Sequence, residues 1–155
     1  MKHLIGDIIE MGLEQKIEVL IHGCNCFHTM GAGIAVGVRK TFPESYEADL
    51  RTPYGDKSKL GSYSQATTES GLIIVNAYTQ FTPSPAKSEK ILQERYNAIE
   101  SCLLGIAEEF PDKKIGIPYI GSGLAGGDWN IIRPIIEETL AETDTTIVQF
   151  WKDAI

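Results

Sequence analysis

Glycine and other small residues interrupt the chain at two places where a strand is expected to pass into a helix. The first glycine loop comprises residues 30–35, Met-Gly-Ala-Gly-Ile-Ala, and the second glycine loop comprises residues 121–129, Gly-Ser-Gly-Leu-Ala-Gly-Gly-Asp-Trp. Glycine lets the backbone approach a ligand closely, and consecutive N–H groups can then surround an anion without any Lys or Arg. Together the loops predict a pyrophosphate site. The alternative is that each glycine loop only allows a tight turn between strand and helix.

Three ionisable side chains lie close to these loops in the sequence and are candidates for moving a proton. His22 lies in a predicted strand, His28 lies just before the first glycine loop, and Asp128 lies near the end of the second. An imidazole titrates near neutral pH, and a carboxylate can orient a water or protonate a leaving group. The structural alternatives are a buried core histidine, an ordinary loop histidine and a helix N-cap, respectively.

Other common catalytic and cofactor-binding motifs do not match this chain. Neither loop ends in Gly-Lys-Ser/Thr, and neither is a Gly-x-Gly-x-x-Gly sequence in the first strand-helix turn. Cys24, Cys26 and Cys102 lack the spacing of a zinc site, and no Cys-x5-Arg phosphate loop is present. We therefore expect no metal and no cofactor, and the sequence does not support a kinase or a nicotinamide-dependent dehydrogenase.

The composition predicts one globular domain over residues 1–155. Hydrophobic residues make up 43% of the chain and charged residues 23%, and the formal net charge is −7. Such an acidic chain is not expected to have nucleic acid as its main partner, because a phosphate-backbone binder needs a basic surface. No apolar segment has the length of a signal sequence core or a membrane span, so we expect a cytoplasmic protein without a membrane partner.

Hydrophobic patterning predicts alternating strands and helices that place these loops. Strands are predicted over residues 2–9, 17–21, 61–67, 72–78, 114–120 and 145–151. Helices are predicted from the first glycine loop to Pro43, after Pro43, from the N-cap Ser88 to Pro111, and from near Pro134. This alternation favours a three-layer α/β domain with a mostly parallel sheet, in which ligands bind at the carboxyl ends of strands.

Four sequence pieces, in this order, resemble the macro domains that bind ADP-ribose. They are Gly6-Asp7-Ile8, then Asn25 after a buried strand, then Met30-Gly31-Ala32-Gly33-Ile34-Ala35, and finally Gly121-Ser122-Gly123-Leu124. The resemblance covers essentially the whole chain. It is closest to the branch of ADP-ribose 1''-phosphate phosphatases and terminal ADP-ribose glycohydrolases. It implies a three-layer α/β/α fold with a mixed, mostly parallel six-stranded sheet.

The resemblance also implies a role for individual residues. Asp7 would accept a hydrogen bond from the adenine amino group, with a backbone contact from Ile8, and Asn25 would contact the distal ribose. From the residues alone, Asp7 could instead be a solvated residue that closes a strand, and Asn25 a turn residue. Residues of the two glycine loops would hold the diphosphate and distal ribose: Met30, Gly31, Ala32, Gly33, Ile34, Gly121, Ser122, Gly123 and Leu124.

The resemblance makes His22 the first candidate for catalysis, with His28 second and Asp128 as the nearest available acid. The expected reaction is hydrolysis of ADP-ribose 1''-phosphate to ADP-ribose and phosphate by a monomer. Lysine-dependent glycohydrolases of this branch carry a Lys and an Asp where this chain has Gln80 and Ala125. Gln80 cannot form a Schiff base. The alternatives are therefore a non-catalytic ADP-ribose reader and, less favoured, an enzyme that removes ADP-ribose from a macromolecule.

Overall fold

A computed structural model describes residues 1–154 of the chain, and they contain one six-stranded sheet. The strands are β1 (Lys2–Gly6), β2 (Val19–Cys24), β3 (Tyr63–Thr67), β4 (Ile73–Tyr78), β5 (Lys114–Pro118) and β6 (Asp144–Phe150). Their order across the sheet is β1-β6-β5-β2-β4-β3. All neighbouring strands are parallel except β3 and β4, which form an antiparallel pair. The predicted mixed, mostly parallel six-stranded sheet is confirmed.

Helices cover both faces of this sheet. They are α1 (Ile8–Leu13), α2 (Ile34–Thr41), α3 (Pro43–Leu50), α4 (Glu89–Glu109) and α5 (Trp129–Thr139). One apolar cluster joins the sheet to α4 and α5, and a second joins its opposite face to α1 and α2. α3 packs on the same side as α2, against β3 and β4. The predicted three-layer α/β/α arrangement is therefore confirmed.

Several predicted element boundaries differ from the structure, and two of these differences come from a capping aspartate. The first strand ends at Gly6 rather than Ile9, because Oδ1 of Asp7 accepts a hydrogen bond from Ile9 N at 2.9 Å and starts α1. The last helix begins at Trp129 rather than near Pro134. There Oδ1 of Asp128 accepts a hydrogen bond from Asn130 N at 2.9 Å, which sets the first turn upstream of the proline.

The parallel strands bring five chain segments to one edge of the sheet. β1, β2, β4, β5 and β6 all run in the same direction, so their carboxyl ends meet at this edge. The segments that follow them are Asp7, residues 25–33, residues 79–88, residues 119–128 and the short 3-10 helix Trp151–Ala154. We call this region the carboxyl-edge cleft. It contains both glycine loops.

Candidate functional site

Asn25 begins the segment that leads from β2 into the first glycine loop. Its Oδ1 accepts a hydrogen bond from Phe27 N at 2.8 Å, and its Nδ2 donates to Oγ1 of Thr29 at 2.6 Å. These bonds form an Asx turn, which is the structural alternative that the sequence left open. The side chain is only half-buried. Asn25 therefore shapes the loop and lies at the carboxyl-edge cleft.

His28 lies in the same segment with a left-handed backbone conformation. Its φ is 57° and that of Met30 is 39°, a region that residues other than glycine seldom adopt. Nε2 of His28 donates to the carbonyl oxygen of Thr52 at 2.8 Å, and the hydroxyl of Tyr46 donates to the carbonyl oxygen of His28 at 2.8 Å. These contacts hold a strained segment beside the first glycine loop, and strain of this kind concentrates at functional sites.

The first glycine loop presents an open helix N-terminus. Gly31, Ala32 and Gly33 are exposed, and α2 starts directly after them. Gly33 has φ 59° and ψ −142°, which a residue with a Cβ would adopt only with strain. Because the first-turn N–H groups of a helix have no intrahelical acceptor, this end of α2 can bind an anion.

The second glycine loop folds back on itself through its glycines. The φ angles of Gly121, Gly123 and Gly126 are 74°, 65° and 84°. Gly127 N donates to the carbonyl oxygen of Gly121 at 2.9 Å, and a Cβ at Gly127 would overlap that oxygen. Within the loop, residues Gly123–Ala125 form one 3-10 turn. The glycines are therefore required by this backbone path as well as available for a ligand.

The other end of the cleft contains Asp7 and an aromatic pair that the sequence analysis missed. Gly6, the last residue of β1, lies in register with Phe150, the last residue of β6. Trp151 follows in a 3-10 helix that packs against β1 and is 47% exposed. The sequence signal that could have identified this pair is the presence of two adjacent aromatic residues at the end of the last predicted strand, 145–151. Asp7 and the exposed Trp151 thus follow the paired last residues of two neighbouring strands.

His22 lies outside the cleft. Its side chain is fully buried on the face of the sheet that packs against α3, and its Nε2 donates to Oδ1 of Asn76 at 2.6 Å. Burial lowers the pKa of His22 to about 4, with the hydrogen bond to Asn76 opposing the shift. A neutral imidazole enclosed in the core cannot contact a ligand in this conformation. The structure therefore favours the core alternative that the sequence left open.

Asp128 caps α5 and is exposed at the end of the second glycine loop. Its backbone N–H donates to the hydroxyl oxygen of Tyr96 at 2.9 Å, which fixes the loop to α4. Trp129 stacks on Tyr119 with ring centroids 3.9 Å apart. Asp128 has the capping role given as its structural alternative, while its carboxylate stays accessible to solvent.

The cysteines do not form a reactive or metal-binding group. Cys24, Cys26 and Cys102 are free and buried, and burial raises the pKa of each thiol. Within residues 1–154, no group of three His, Cys, Asp or Glu side chains is arranged to hold a metal ion. Over the same residues, none of the helices has the length and apolar character needed to cross a membrane.

A phage protein resembles this chain over nearly its full length. The uncharacterized 17.5 kDa protein from the tk-vs intergenic region of Enterobacteria phage T4 is 38% identical over 158 residues, 96% of each chain. The chain belongs to the same family as this phage protein. No protein-family model matches the chain.

Longer bacterial proteins resemble it more distantly. A DNA ADP-ribosyl transferase-DNA ADP-ribosyl glycohydrolase fusion protein of Thermosipho africanus is 26% identical over 147 residues. Those residues are 85% of this chain and only 38% of the fusion protein. This chain therefore matches only part of the fusion protein.

Solved structures identify the fold. A Bacteroides thetaiotaomicron protein of unknown function has a TM-score of 0.77 at 25% identity and covers 97% and 99% of the two chains. The macrodomain of Thermus aquaticus DarG has a TM-score of 0.69 at 19% identity, covering 97% of both chains. Thermosipho africanus DarTG in complex with ADP-ribose gives 0.74 at 20% identity, over 98% of this chain and 42% of that one. The fold of this family member is the macro domain fold.

This macro domain brings most of the predicted ligand-binding residues to one edge. Asp7, Asn25 and both glycine loops lie where the parallel strands end, as do His28 and Asp128. Ile8 is the buried first residue of α1, Met30 is also buried, and Leu124 is 67% exposed. Among the three residues predicted to be catalytic, His22 is enclosed in the core, whereas His28 is half-buried and Asp128 is exposed.

Proposed function

We propose that this chain binds ADP-ribose in the carboxyl-edge cleft. The observation that carries the proposal is the convergence of two glycine loops, one with an open helix N-terminus, at the edge that also contains Asp7. Backbone N–H groups at such positions bind a diphosphate. The Thermosipho africanus DarTG structure, which has the same fold, is a complex with ADP-ribose and supports this choice.

The proposed orientation of the ligand follows from the two ends of the cleft. Asp7 and the backbone of Ile8 contact the adenine, whose ring stacks on Trp151. The glycine loops surround the diphosphate. Asn25 contacts the distal ribose, for which an amide offers both a donor and an acceptor. The net charge of −7 is compatible with this ligand because helix and loop N–H dipoles, rather than basic side chains, supply the positive potential.

Calorimetric titration with ADP-ribose tests this proposal. We expect saturable binding with one ligand per chain. AMP lacks the second phosphate and the distal ribose, so it should bind at least tenfold more weakly. Equal affinities for ADP-ribose and AMP would contradict the assignment of the glycine loops to the diphosphate, and the absence of binding would contradict the proposed function.

Hydrolysis of ADP-ribose 1''-phosphate to ADP-ribose and inorganic phosphate is the second candidate function. The relative named as a DNA ADP-ribosyl glycohydrolase fusion indicates hydrolytic chemistry on an ADP-ribosyl group. Because His22 is buried, we assign the proton transfer to His28 or Asp128, which lie at the cleft.

We further propose that the chain acts as a single cytoplasmic domain and as a monomer.

Phosphate release separates this enzyme from a non-catalytic reader. The assay compares the unchanged protein with His28→Ala and with Asp128→Asn, which keeps an N-cap residue while removing the charge. A hydrolase would release phosphate, and at least one variant would be a hundredfold slower with similar ADP-ribose affinity. Binding without phosphate release would identify a reader. Release of ADP-ribose from ADP-ribosylated DNA is assayed in parallel. Such release would instead identify a glycohydrolase that works with Gln80 in place of the catalytic lysine.

A further inference from the structure

Arg95 is a buried cation on α4, and its side chain contacts the second glycine loop. Only 6% of the residue is exposed. Its Nη1 donates to the carbonyl oxygen of Ala125 at 2.7 Å, and its Nη2 donates to the carbonyl oxygen of Ser84 at 2.7 Å. One guanidinium group therefore joins the second glycine loop to the segment between β4 and α4.

The same part of α4 fixes the loop at a second point. Tyr96, next to Arg95, accepts a hydrogen bond from Asp128 N at 2.9 Å. The carbonyl oxygen of Ala125 also accepts a hydrogen bond from Ala86 N, at 3.4 Å. Two adjacent helical residues thus hold both ends of residues 125–128, and the carbonyl oxygen of Ala125 is directed toward α4.

Among residues 1–154, the charge of Arg95 has no carboxylate partner within ion-pair distance. It forms none of the ion pairs found within residues 1–154, and its Nε has no hydrogen-bond partner there. Burial lowers its pKa, with the charge of Glu94 opposing the shift. A guanidinium group nevertheless stays charged in proteins. A buried cation without a counter-charge is costly, which favours a role beyond packing.

We propose that Arg95 is the positioning residue for diphosphate recognition by the second glycine loop. It holds the peptide carbonyl of Ala125 toward α4 and places a positive charge on the side of the loop that faces α4. This inference rests on the proposed function. A chain with a net charge of −7 thus places a basic side chain against the second glycine loop while keeping that side chain buried.

Two substitutions of Arg95 and one control test the proposal. Arg95→Met removes both hydrogen bonds and the charge, while Arg95→Lys keeps the charge and can reach one carbonyl. Arg133→Met is the control, because Arg133 is exposed on α5 and pairs with Glu137 on the surface. Calorimetry measures ADP-ribose affinity, an NMR titration measures AMP affinity, and hydrogen exchange measures protection of residues 121–128 without ligand.

We expect Arg95→Met to weaken ADP-ribose binding at least tenfold and AMP binding less than threefold, with faster exchange confined to residues 121–128. Arg95→Lys should be intermediate, and Arg133→Met should match the unchanged protein. Unchanged ADP-ribose affinity, or equal losses for both ligands, would overturn the proposal. If Arg95→Met does not fold, Arg95→Lys provides the test. An Arg95→Lys variant with the same ADP-ribose affinity and the same loop protection as the unchanged protein would also overturn the proposal. If the unchanged protein binds no ADP-ribose, the proposed function fails, and the exchange data still show whether Arg95 holds the loop.

Discussion

The imidazole of His22 donates a hydrogen bond to Oδ1 of Asn76 at 2.6 Å, and both side chains are fully buried. The amide nitrogen of Asn76 in turn donates to the carbonyl oxygen of Ser45 at 2.9 Å and to Oγ of Ser64 at 3.0 Å. This network connects β2, β4, β3 and α3. His22 is therefore placed to stabilise the sheet against α3 rather than to contact a ligand.

Replacement of His22 should change stability and leave ligand affinity unchanged. His22→Ala removes a buried hydrogen bond and creates a cavity, so we expect urea unfolding to show a loss of about 3 kcal/mol. His22→Gln retains a donor for Asn76 and should lose less. Both variants should bind ADP-ribose within threefold of the unchanged protein. A variant of normal stability that has lost binding or phosphate release would show that His22 acts at the ligand.

The pH dependence of stability should also depend on His22. Its pKa is about 4 in the folded chain and 6.5 as the ordinary value, so between these pH values only the unfolded chain binds the proton. Stability from this residue is therefore complete above pH 6.5 and decreases as the pH falls toward 4, by about 3 kcal/mol at most. Urea unfolding of the unchanged protein and of His22→Gln at several pH values isolates this contribution. Parallel curves for the two proteins would contradict it.

Asp7 combines two roles that substitution can separate. It caps α1, and we propose that it accepts a hydrogen bond from adenine. Asp7→Ser keeps an N-cap group but is too short to reach the ligand, so we expect stability within about 0.5 kcal/mol and a roughly tenfold loss of ADP-ribose affinity. Asp7→Ala should lose the same affinity and about 1 kcal/mol of stability. If Asp7→Ser binds ADP-ribose with unchanged affinity, the Asp7 carboxylate does not form a hydrogen bond with the adenine.

The fold was largely predictable from the sequence because local patterns agreed with the tertiary structure. Ser88 caps α4, where its Oγ accepts a hydrogen bond from Ile91 N at 3.2 Å, and α4 ends just before Phe110 as predicted from Pro111. The antiparallel strands β3 and β4 also lie within the segments 61–67 and 72–78 that are predicted as strands. The start of α1 was missed because an apolar run of Ile8 and Ile9 suits a strand as well as a buried helix.

The interior of the site was less predictable because burial and partners depend on the tertiary structure. The sequence cannot show that Asn76, 54 residues away, encloses His22 in the core. It also cannot show that Arg95 contacts the second glycine loop, because α4 and that loop meet only in the folded chain. The glycine loops were found from sequence because a strand, a glycine-rich turn and a helix are local features.

Gly33 and Gly71 form a matched pair for testing the first glycine loop. Both have positive φ, 59° and 90°, and no atom lies within 4 Å of a Cβ built at either position. An Ala at either position should therefore cost about 1 to 3 kcal/mol of stability through backbone strain alone. Gly33 precedes α2 at the cleft, whereas Gly71 lies between β3 and β4 at the opposite edge.

We expect Gly33→Ala to weaken ADP-ribose binding at least tenfold, because the N–H groups of the first glycine loop shift with the backbone. Gly71→Ala should leave the affinity within twofold. Urea unfolding and calorimetry on both variants provide the comparison. Equal affinities for the two variants would show that the first glycine loop does not hold the diphosphate.

The two tryptophans allow adenine binding to be assigned to one end of the cleft. Trp151 is 47% exposed and follows the end of β6, which is in register with the end of β1 before Asp7, whereas Trp129 stacks on Tyr119 and is half-buried. Adenine stacked on Trp151 should quench its fluorescence, and loss of the stacking should weaken ADP-ribose binding about fivefold to tenfold, equivalent to about 1 to 1.4 kcal/mol. Trp151→Leu should lose both the quenching and this affinity. Trp129→Phe retains a ring for Tyr119 and should keep both, so quenching that disappears with Trp129 instead would place the adenine at the second glycine loop.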